Sequence, residues 1–558
     1  MEDNRVPSTY DRYLSPLDVW AIAFGCTVGW GAFIMPGTTF LPVAGPIGTL
    51  IAMLVSLAIV LVIGVNFSFL MRRKPGTGGV YAYTKEAFGR EHAFLCAWFL
   101  CLSYLTIVFM NATSLFIIIR TVFGDRLRIG YNYYHIGGNV IFMGEVGASI
   151  IALASVGLLF INAKPLLQRL HTVLSVALLA GVLIVAAVCL PHLRPESLQQ
   201  GAFGIQGNSP AFAVFSLVML APWAFVGFEV ISLETAHFDF KLHRSRWIIV
   251  ASILLSGLVY ILLTFVSVAA APDGYASWQA YIADLGQLDG PTAVPAFYSA
   301  RAIMGPVGLV IMALAAVAAI LTGMIAAYRA TTRVLSTMAE DNILSERLSS
   351  TNNSILLIMV VSIVISLLGR NLLECFMDLT AFGAIVGFGY TSASAWRLAR
   401  RSGNRPIVVT GVIGTVLSLA FAVVELVPRL TALETLDAQA FMLLALWCLA
   451  GFMFYLRTVA RSREPINGTS PAGVVLFAVL LYSALMWLAK RLMAAESLQA
   501  VHSTLQLEGT LMLVVIFIGL CVMMYIQQLL RRKQAALRRE LKRATHDKGP
   551  SDGDNGRS

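Results

Sequence analysis

The sequence predicts an all-α polytopic membrane protein, and its composition, its apolar segments and the distribution of its basic residues support that class. Of the 558 residues, 58% are hydrophobic and 13% are charged, and the mean hydropathy is +0.77. Soluble globular domains carry about 25% charged residues. The composition therefore excludes a disordered chain or a disulfide scaffold and argues against a secreted soluble enzyme.

Apolar segments long enough to cross a bilayer recur along the chain. About 20 helical residues span a hydrocarbon core about 30 Å thick. Fourteen segments fit this description, and the one at 355–369 is short for it. The predicted spans lie near residues 17–41, 46–70, 94–119, 141–162, 170–190, 211–233, 247–271, 302–327, 355–369, 374–396, 406–427, 438–456, 471–489 and 508–530.

Lysine and arginine residues indicate the orientation, because cytoplasmic loops carry an excess of them. With the N-terminal segment 1–16 inside, 31 of the 40 basic residues fall on the cytoplasmic side. We therefore expect a multi-pass protein of the plasma or inner membrane with both termini cytoplasmic. The net charge of +10 follows from this topology and gives no support for a nucleic-acid partner.

The end of the chain is rich in basic residues. Nine of them lie in a predicted cytoplasmic tail, 531–558. Its first part, Arg531 to Lys548, is expected to continue the last span as a basic amphipathic helix against anionic lipid head groups. The last residues, Gly549 to Ser558, are expected to be disordered.

Two predicted spans contain residues that interrupt a helix. The first, at 24–37, has three glycines within seven residues and ends in Pro-Gly, and the sixth has Pro222, Gly227 and Glu229 close together. Each opens a five-span unit, 17–190 or 210–398, and an odd number of spans gives the second unit the opposite orientation. This pattern predicts an inverted-repeat 5+5 transporter core, with helices 1 and 6 broken and a binding site between the breaks. For one span alone, close helix packing would be the favoured explanation of the glycines, and the match between two spans favours a transporter instead.

Broken helices provide groups that suit a zwitterion. Free amides at the start of a half-helix attract a carboxylate, and unwound carbonyls accept hydrogen bonds from an ammonium group. The predicted substrate is therefore an amino acid or a related amine, and no cofactor or metal is expected. The remaining spans form pairs at 406–459 (helices 11–12) and 471–530 (helices 13–14), and the sequence assigns no role to helices 13–14.

Four motifs in order resemble the amino acid–polyamine–organocation (APC) superfamily of permeases, over about residues 15–400. Residues 25–33, Gly-Cys-Thr-Val-Gly-Trp-Gly-Ala-Phe, are similar to its Gly-Ser-x-Ile-Gly-Ser-Gly-Ile-Phe. Residues 75–89 resemble Pro-x-x-Gly-Gly-x-Tyr-x-Tyr…Ala-Phe-Gly, and 224–229 resemble Phe-Ala-Tyr-x-Gly-Phe-Glu. Residues 330–341 resemble Ala-Ala-Ser-Arg-x-Leu-Tyr-Ala-x-Ala-Arg-Asp.

The resemblance implies a substrate site on both broken helices. In it the first break holds the carboxylate, Phe225, Val226 and Gly227 face the amine, and Phe225 closes the site as a gate. Trp30 stands where the family usually has Ser, which puts a large ring beside the site, and Tyr104 lies where such permeases place an aromatic wall. The substrate-binding set so implied is Thr27, Val28, Gly29, Trp30, Gly31, Tyr104, Phe225, Val226 and Gly227.

Coupling is predicted to depend on Glu229, which is ionisable at membrane depth and therefore a functional candidate. Its role is either coupling and gating or a structural hydrogen bond between helices. Sodium coupling is disfavoured because only Thr322 offers a side-chain oxygen on the inner part of the eighth span. The fifth span has no interior Lys, and His171 is expected to be a boundary residue. Proton symport and substrate exchange both stay open.

Three other classes are weighed against secondary transport. A transporter-like membrane sensor would keep the same fold without translocation. A proton-conducting subunit of a redox complex would need charged residues within several spans, and only Glu229 qualifies. An enzyme is the weakest alternative, because the sequence has no nucleophile arrangement, phosphate-binding glycine loop or metal-ligand spacing.

Overall fold

The computed structural model shows a chain built very largely of helices. It divides into two compact units, the first comprising Met1–Glu340 and Ser345–Leu436 and the second Asp341–Leu344 and Asp437–Ser558. The predicted disordered end and residues 1–11 lie outside the described part of the chain. The structure describes residues 12–124, 133–136, 139–199, 201–428, 430–433, 436–461, 470–494 and 508–546.

Long helices form the frame of the first unit, and shorter helical pieces connect or interrupt them. A short antiparallel hairpin, β1 (Tyr133–Ile136) with β2 (Asn139–Phe142), precedes α6. In chain order the helices are α1 (Pro16–Thr27), α2 (Gly31–Met35), α3 (Leu41–Arg73), α4 (Gly79–Phe88), α5 (Arg90–Phe123), α6 (Met143–Asn162), α7 (Lys164–Cys189), α8 (Pro195–Gln199), α9 (Pro210–Val218), α10 (Ala221–Phe225), α11 (Ser245–Ser267), α12 (Trp278–Ala283), α13 (Pro295–Glu340), α14 (Thr351–Ser366), α15 (Leu373–Arg401) and α16 (Arg405–Leu426).

The second unit contains three long helices that pack against one another, α17 (Ala438–Arg461), α18 (Pro471–Ala494) and α19 (Thr510–His546). Arg491, near the end of α18, forms a salt bridge with Glu508, and the two charged groups are 2.7 Å apart. The last helix runs without interruption from the final apolar segment into the basic tail as far as His546.

Eleven described helices are long and apolar enough to cross a membrane, which confirms an all-helical multi-pass protein. Three of the fourteen predicted spans are missing from that set. The ninth, α14, has 16 residues, and the first and sixth are interrupted. An apolar run in a sequence does not distinguish a continuous helix from a broken one, so the total of fourteen spans stays a prediction.

The first span is interrupted where its glycines lie. It begins with a capping box, in which Asp18 N–H donates to Ser15 Oγ (3.2 Å) and Ser15 N–H donates to Asp18 Oδ2 (3.1 Å). The helix ends at Thr27, because Val28 has an extended backbone (φ −94°, ψ 90°). Helical structure resumes at α2 and continues through a π-helical turn, Pro36–Phe40, into α3.

The sixth span is interrupted twice. After α9 the chain turns and forms the short α10, which ends where Val226 becomes extended (φ −60°, ψ 136°). Gly227 follows with φ 122°, a conformation that side chains other than glycine rarely adopt. The chain then continues as a 3₁₀ turn, Phe228–Leu233. The interruptions that the sequence predicts in the first and in the sixth span are therefore both present.

The interrupted segments lie among the most buried helices. Helix α5 packs against α13 and α15, and 94% of its most apolar stretch is buried. Helix α1 packs against α7, α11 and α13 and against the 3₁₀ turn Phe228–Leu233. The two breaks are therefore positioned inside the first unit, away from its outer surface.

Candidate functional site

The two breaks touch each other through their backbones. A Cβ atom at Gly227 would lie 2.7 Å from the carbonyl carbon of Cys26 and 2.8 Å from the amide nitrogen of Thr27. Only glycine permits so close an approach, and its positive φ requires the same residue type. The segments that the sequence predicts to form one site are thus brought together at this crossing.

The first break exposes backbone amides. Val28 N–H still donates to Phe24 O at 2.9 Å, and the next turn forms when Ala32 N–H donates to Gly29 O at 3.2 Å. Between them, the amides of Gly29 and Trp30 form no hydrogen bond within the described residues. Unpaired amides at the start of a helix carry partial positive charge. This break can therefore bind an anionic group.

The second break is held together by Glu229. Its Oε2 accepts the Gly227 N–H at 2.8 Å, and its Oε1 accepts the Tyr104 hydroxyl at 3.0 Å. The side chain is 1% exposed. It therefore caps the backbone after the break and links it to α5.

Two carbonyl groups of the second break have no backbone partner. Among the described residues, no backbone amide donates to the carbonyls of Phe225 or Val226. Buried carbonyls without partners can accept hydrogen bonds from a ligand such as an ammonium group. The two breaks thus present donors and acceptors of the kinds that an amino acid needs.

Aromatic rings close around these backbones. Trp30 and Trp223 meet edge to face, with ring centroids 6.4 Å apart. A Cβ atom at Gly31 would lie 2.3 Å from Trp223 Cη2, so the ring of Trp223 lies directly on that glycine. Phe225 is fully buried and its ring centroid is 6.1 Å from that of Tyr260.

Nearly all the side chains of the predicted site are shielded. Trp30 of the binding set is 7% exposed and the neighbouring Trp223 is 8% exposed. The other residues of the set, and Glu229, are buried apart from Gly29. Gly29 alone in that set keeps intermediate exposure. The site is thus largely buried, and its most exposed part is Gly29 in the first break.

His171 lies in a position that sequence reasoning missed. Its place near the cytoplasmic boundary stays a prediction. Its side chain is completely buried, and neither ring nitrogen has a hydrogen-bond partner within the described residues. Its Nε2 is 2.9 Å from where a Cβ atom of Gly25 would lie, close to Ser175 Oγ and Thr322. The spacing of His171 and Ser175 by one turn of α7 was the available signal, because both lie on its buried face.

A second missed residue is Asn111 of α5, which is 3% exposed. Its Oδ1 has no hydrogen-bond partner among the described residues. A Cβ atom at Gly29 would lie 3.5 Å from this oxygen. The sequence does not indicate that Asn111 lies beside the first break, because Gly29, the residue that it faces, is far away in the sequence.

Polar contacts close one end of the broken helices. Arg333 of α13 donates to both carboxylate oxygens of Glu234, at 2.9 and 3.2 Å, and its Nη2 is 2.9 Å from His237 Nε2. Thr235 Oγ1 accepts the Gly76 N–H and donates to Gly76 O, both at 2.8 Å. These contacts lie at the end of the site that the distribution of basic residues predicts to be cytoplasmic.

Comparison with known proteins identifies the family to which this chain belongs. The sequence model described as "Amino acid permease" matches residues 14–455, which include both breaks and Asn111. The chain belongs to the amino acid permease family. The resemblance to APC permeases is thereby confirmed, and the chain is a multi-pass membrane transporter of that family and not an enzyme.

Curated permease relatives match over part of their length. Cationic amino acid transporter 4 of Mus musculus is 26% identical over 262 residues, covering 46% of this chain and 40% of the relative. The methylthioribose transporter of Bacillus subtilis (strain 168) is 26% identical over 229 residues, covering 40% and 47%. A vacuolar cationic amino acid transporter 4 of Arabidopsis thaliana is 24% identical over 307 residues, covering 51% and 50%. The chain thus spans about half the length of these relatives or less.

Proposed function

We propose that this permease is a secondary active transporter that moves an amino acid or a related amine by alternating access. The observation that carries the proposal is the crossing of two interrupted helices at Gly227 and Thr27. Unpaired amides of the first break would bind the substrate carboxylate, with Thr27, Val28, Gly29 and Gly31 around it. Carbonyls of Phe225 and Val226 would accept hydrogen bonds from the amine.

The proposed architecture is an inverted repeat of two five-helix units, with the interrupted helices opening each unit. Its substrate lies between the units, and rocking of one part against the other exposes it to either side of the membrane. The basic residues favour cytoplasmic termini and a cell membrane location.

Glu229 is the proposed coupling residue. It is buried beside both breaks and is bonded to Gly227 and Tyr104. Addition or loss of a proton on its carboxyl group would change both hydrogen bonds, since a carboxylate only accepts whereas a carboxylic acid also donates. If Glu229 gains and loses a proton during the transport cycle, the coupling mode that we propose is proton symport. If its protonation state stays the same throughout the cycle, the mode is substrate exchange.

Counterflow in proteoliposomes tests the proposal. Vesicles are loaded with pooled unlabelled amino acids and amines, and the entry of each labelled compound is followed without an ion gradient. We expect transient accumulation of one compound or a few related ones. Vesicles with the Gly29→Leu variant are the matched control, since a leucine there would occupy the space beside the unpaired amides of the first break.

A second run with an inward proton gradient covers strictly coupled transport. Accumulation in that run alone supports symport, and accumulation in both supports exchange. Absence of accumulation in both runs, with insertion of the protein verified, would overturn the transport proposal.

A further inference from the structure

Asn111 presents a buried hydrogen-bond acceptor that the protein itself does not use. Its Nδ2 donates to Ile107 O at 2.9 Å, one turn earlier in α5. This bond fixes the orientation of the carboxamide, because the opposite orientation would place two acceptor oxygens against each other. Its Oδ1 therefore points away from α5 and accepts no hydrogen bond within the described residues.

The oxygen faces Gly29 at the first break. It lies 3.5 Å from where a Cβ atom of Gly29 would be, and no other heavy atom outside residues 28–30 lies within 4 Å of that position. Gly29 is also the member of the proposed binding set that has intermediate exposure. Asn111 Oδ1 thus lies beside the segment that carries the unpaired amides of Gly29 and Trp30.

Helix α13 leaves room for the carboxamide on the opposite side. A Cβ atom at Gly323 would lie 3.0 Å from Asn111 Nδ2 and 3.2 Å from its Oδ1. Gly323 therefore packs on the amide plane without offering it a side-chain donor. The side that remains for a partner of Oδ1 is the side of Gly29.

A buried acceptor without a partner is costly, and a ligand that supplies a donor removes this cost. Sites built in this way reject analogues that lack the donor, because the acceptor is then left unpaired. Since Nδ2 is already bonded, the free atom can only accept. The ligand group that fits is an N–H or O–H.

We propose that Asn111 is a specificity-determining residue that binds an N–H or O–H donor on the side chain of the substrate. This proposal rests on the function proposed above and adds that amino acids with hydroxyl, amide or ammonium side chains are preferred over aliphatic ones. A lost hydrogen bond of this kind lowers affinity about 5- to 150-fold.

Matched pairs of competitors test the preference. Threonine with valine, glutamine with methionine, and lysine with norleucine compare similar shapes with and without a donor. Each pair is measured by inhibition of counterflow and by thermal stabilisation of the purified protein. We expect the donor-bearing member to bind about 5- to 150-fold more tightly in at least one pair, and the pair that responds identifies the donor as hydroxyl, amide or ammonium.

Variants connect the preference to Asn111. Asn111→Leu should bring the responding pair close to equal affinity, mainly by weakening the donor-bearing member. Asn111→Asp keeps an acceptor and should retain the preference, most strongly for lysine. Ser114→Ala is the control on the same helix, because Ser114 Oγ donates to Met110 O at 2.6 Å and is buried; its ratios should equal those of the wild type.

The outcomes separate this inference from the proposed function. Equal affinities in every pair for the wild type, or an unchanged ratio in both Asn111 variants, would overturn the role of Asn111 even if transport is observed. Binding with the expected ratios but without counterflow would keep Asn111 as a ligand-binding residue while overturning transport. Should Asn111→Leu fail to fold, the Asp variant and the wild-type ratios still decide the question.

Discussion

Replacement of Glu229 by Gln separates the charge of this side chain from its hydrogen bonds. In the structure one carboxylate oxygen accepts the Gly227 N–H at 2.8 Å and the other accepts the Tyr104 hydroxyl at 3.0 Å. A glutamine can keep both contacts, because its oxygen accepts from Gly227 while its amino group donates to the phenol oxygen. We therefore expect Glu229→Gln to insert and to melt like the wild type.

Glu229→Leu is the matched variant that removes both hydrogen bonds. It leaves the Gly227 amide and the Tyr104 hydroxyl unpaired at a position that is 1% exposed. Each unpaired buried group costs about 1–3 kcal/mol, so the variant loses about 2–6 kcal/mol. This is a large share of a typical free energy of unfolding of about 5–15 kcal/mol, and we expect a clearly lower melting temperature.

The assay is uptake by proteoliposomes over a range of external pH, with and without a proton gradient. If Glu229 carries the coupling proton, the Gln variant loses the response of uptake to the gradient but keeps its stability. Wild-type flux with unchanged pH dependence in Glu229→Gln would refute the coupling role. A Gln variant as unstable as the Leu variant would refute the hydrogen-bond argument.

Two further predictions concern glycines and an ion pair. Gly31→Ala places a methyl group 2.3 Å from Trp223 and should lower the free energy of unfolding by about 1–3 kcal/mol. Gly29→Ala meets the oxygen of Asn111 at 3.5 Å and should impair transport while changing the stability by no more than about 0.5 kcal/mol. If thermal melting shows Gly29→Ala to be the less stable variant, the packing argument is wrong. Arg333→Ala should cost about 3–5 kcal/mol by leaving the carboxylate of Glu234 buried without its partner, and adding Glu234→Gln should recover part of that stability. Equal melting temperatures of the single and double variants would show that the pair is not coupled.

The breaks in the helices could be predicted from the sequence because their causes are local. Glycines at 25, 29 and 31 and the Pro222–Gly227 segment destabilise a continuous helix whatever surrounds them. The structure ends α1 at Thr27 and α10 at Phe225, within those same segments. Local residue types are sufficient for this prediction, and the family resemblance followed from motifs in these segments together with those at 75–89 and 330–341.

The polar contacts of the site could not be predicted in the same way. The unpaired oxygen of Asn111 lies beside Gly29, and the buried ring of His171 lies beside Gly25. Both glycines are far from these residues in the sequence. Glu229 was predicted as a functional carboxylate, but its bond to the Gly227 amide two residues away was not. Contacts between helices depend on which helices pack together and on the rotation of each helix about its axis, and a single sequence specifies neither.

The first helix and the segment after the second break are fastened to each other at two levels. At one level Gly227 packs on the backbone of Thr27. At the other, Leu14 and Phe238 form a parallel β-bridge, in which Leu14 N–H donates to His237 O at 3.0 Å and Asp239 N–H donates to Leu14 O at 3.1 Å. Two backbone attachments at the ends of short segments restrict their relative motion, so we expect the two segments to move together.

The contacts between this pair of segments and its surroundings are of a different kind. Here the attachments are between side chains or between a side chain and the backbone, namely Arg333 with Glu234 and Thr235 with Gly76. Side-chain contacts of this type can exchange with water when a path opens, whereas breaking the β-bridge would expose paired backbone groups. In the transport cycle that we propose, opening toward this end would therefore separate Arg333 from Glu234 and leave Leu14 bound to Phe238. The substrate-binding segments of both broken helices would then change position as one body, and this keeps the donors of the first break in register with the carbonyls of the second.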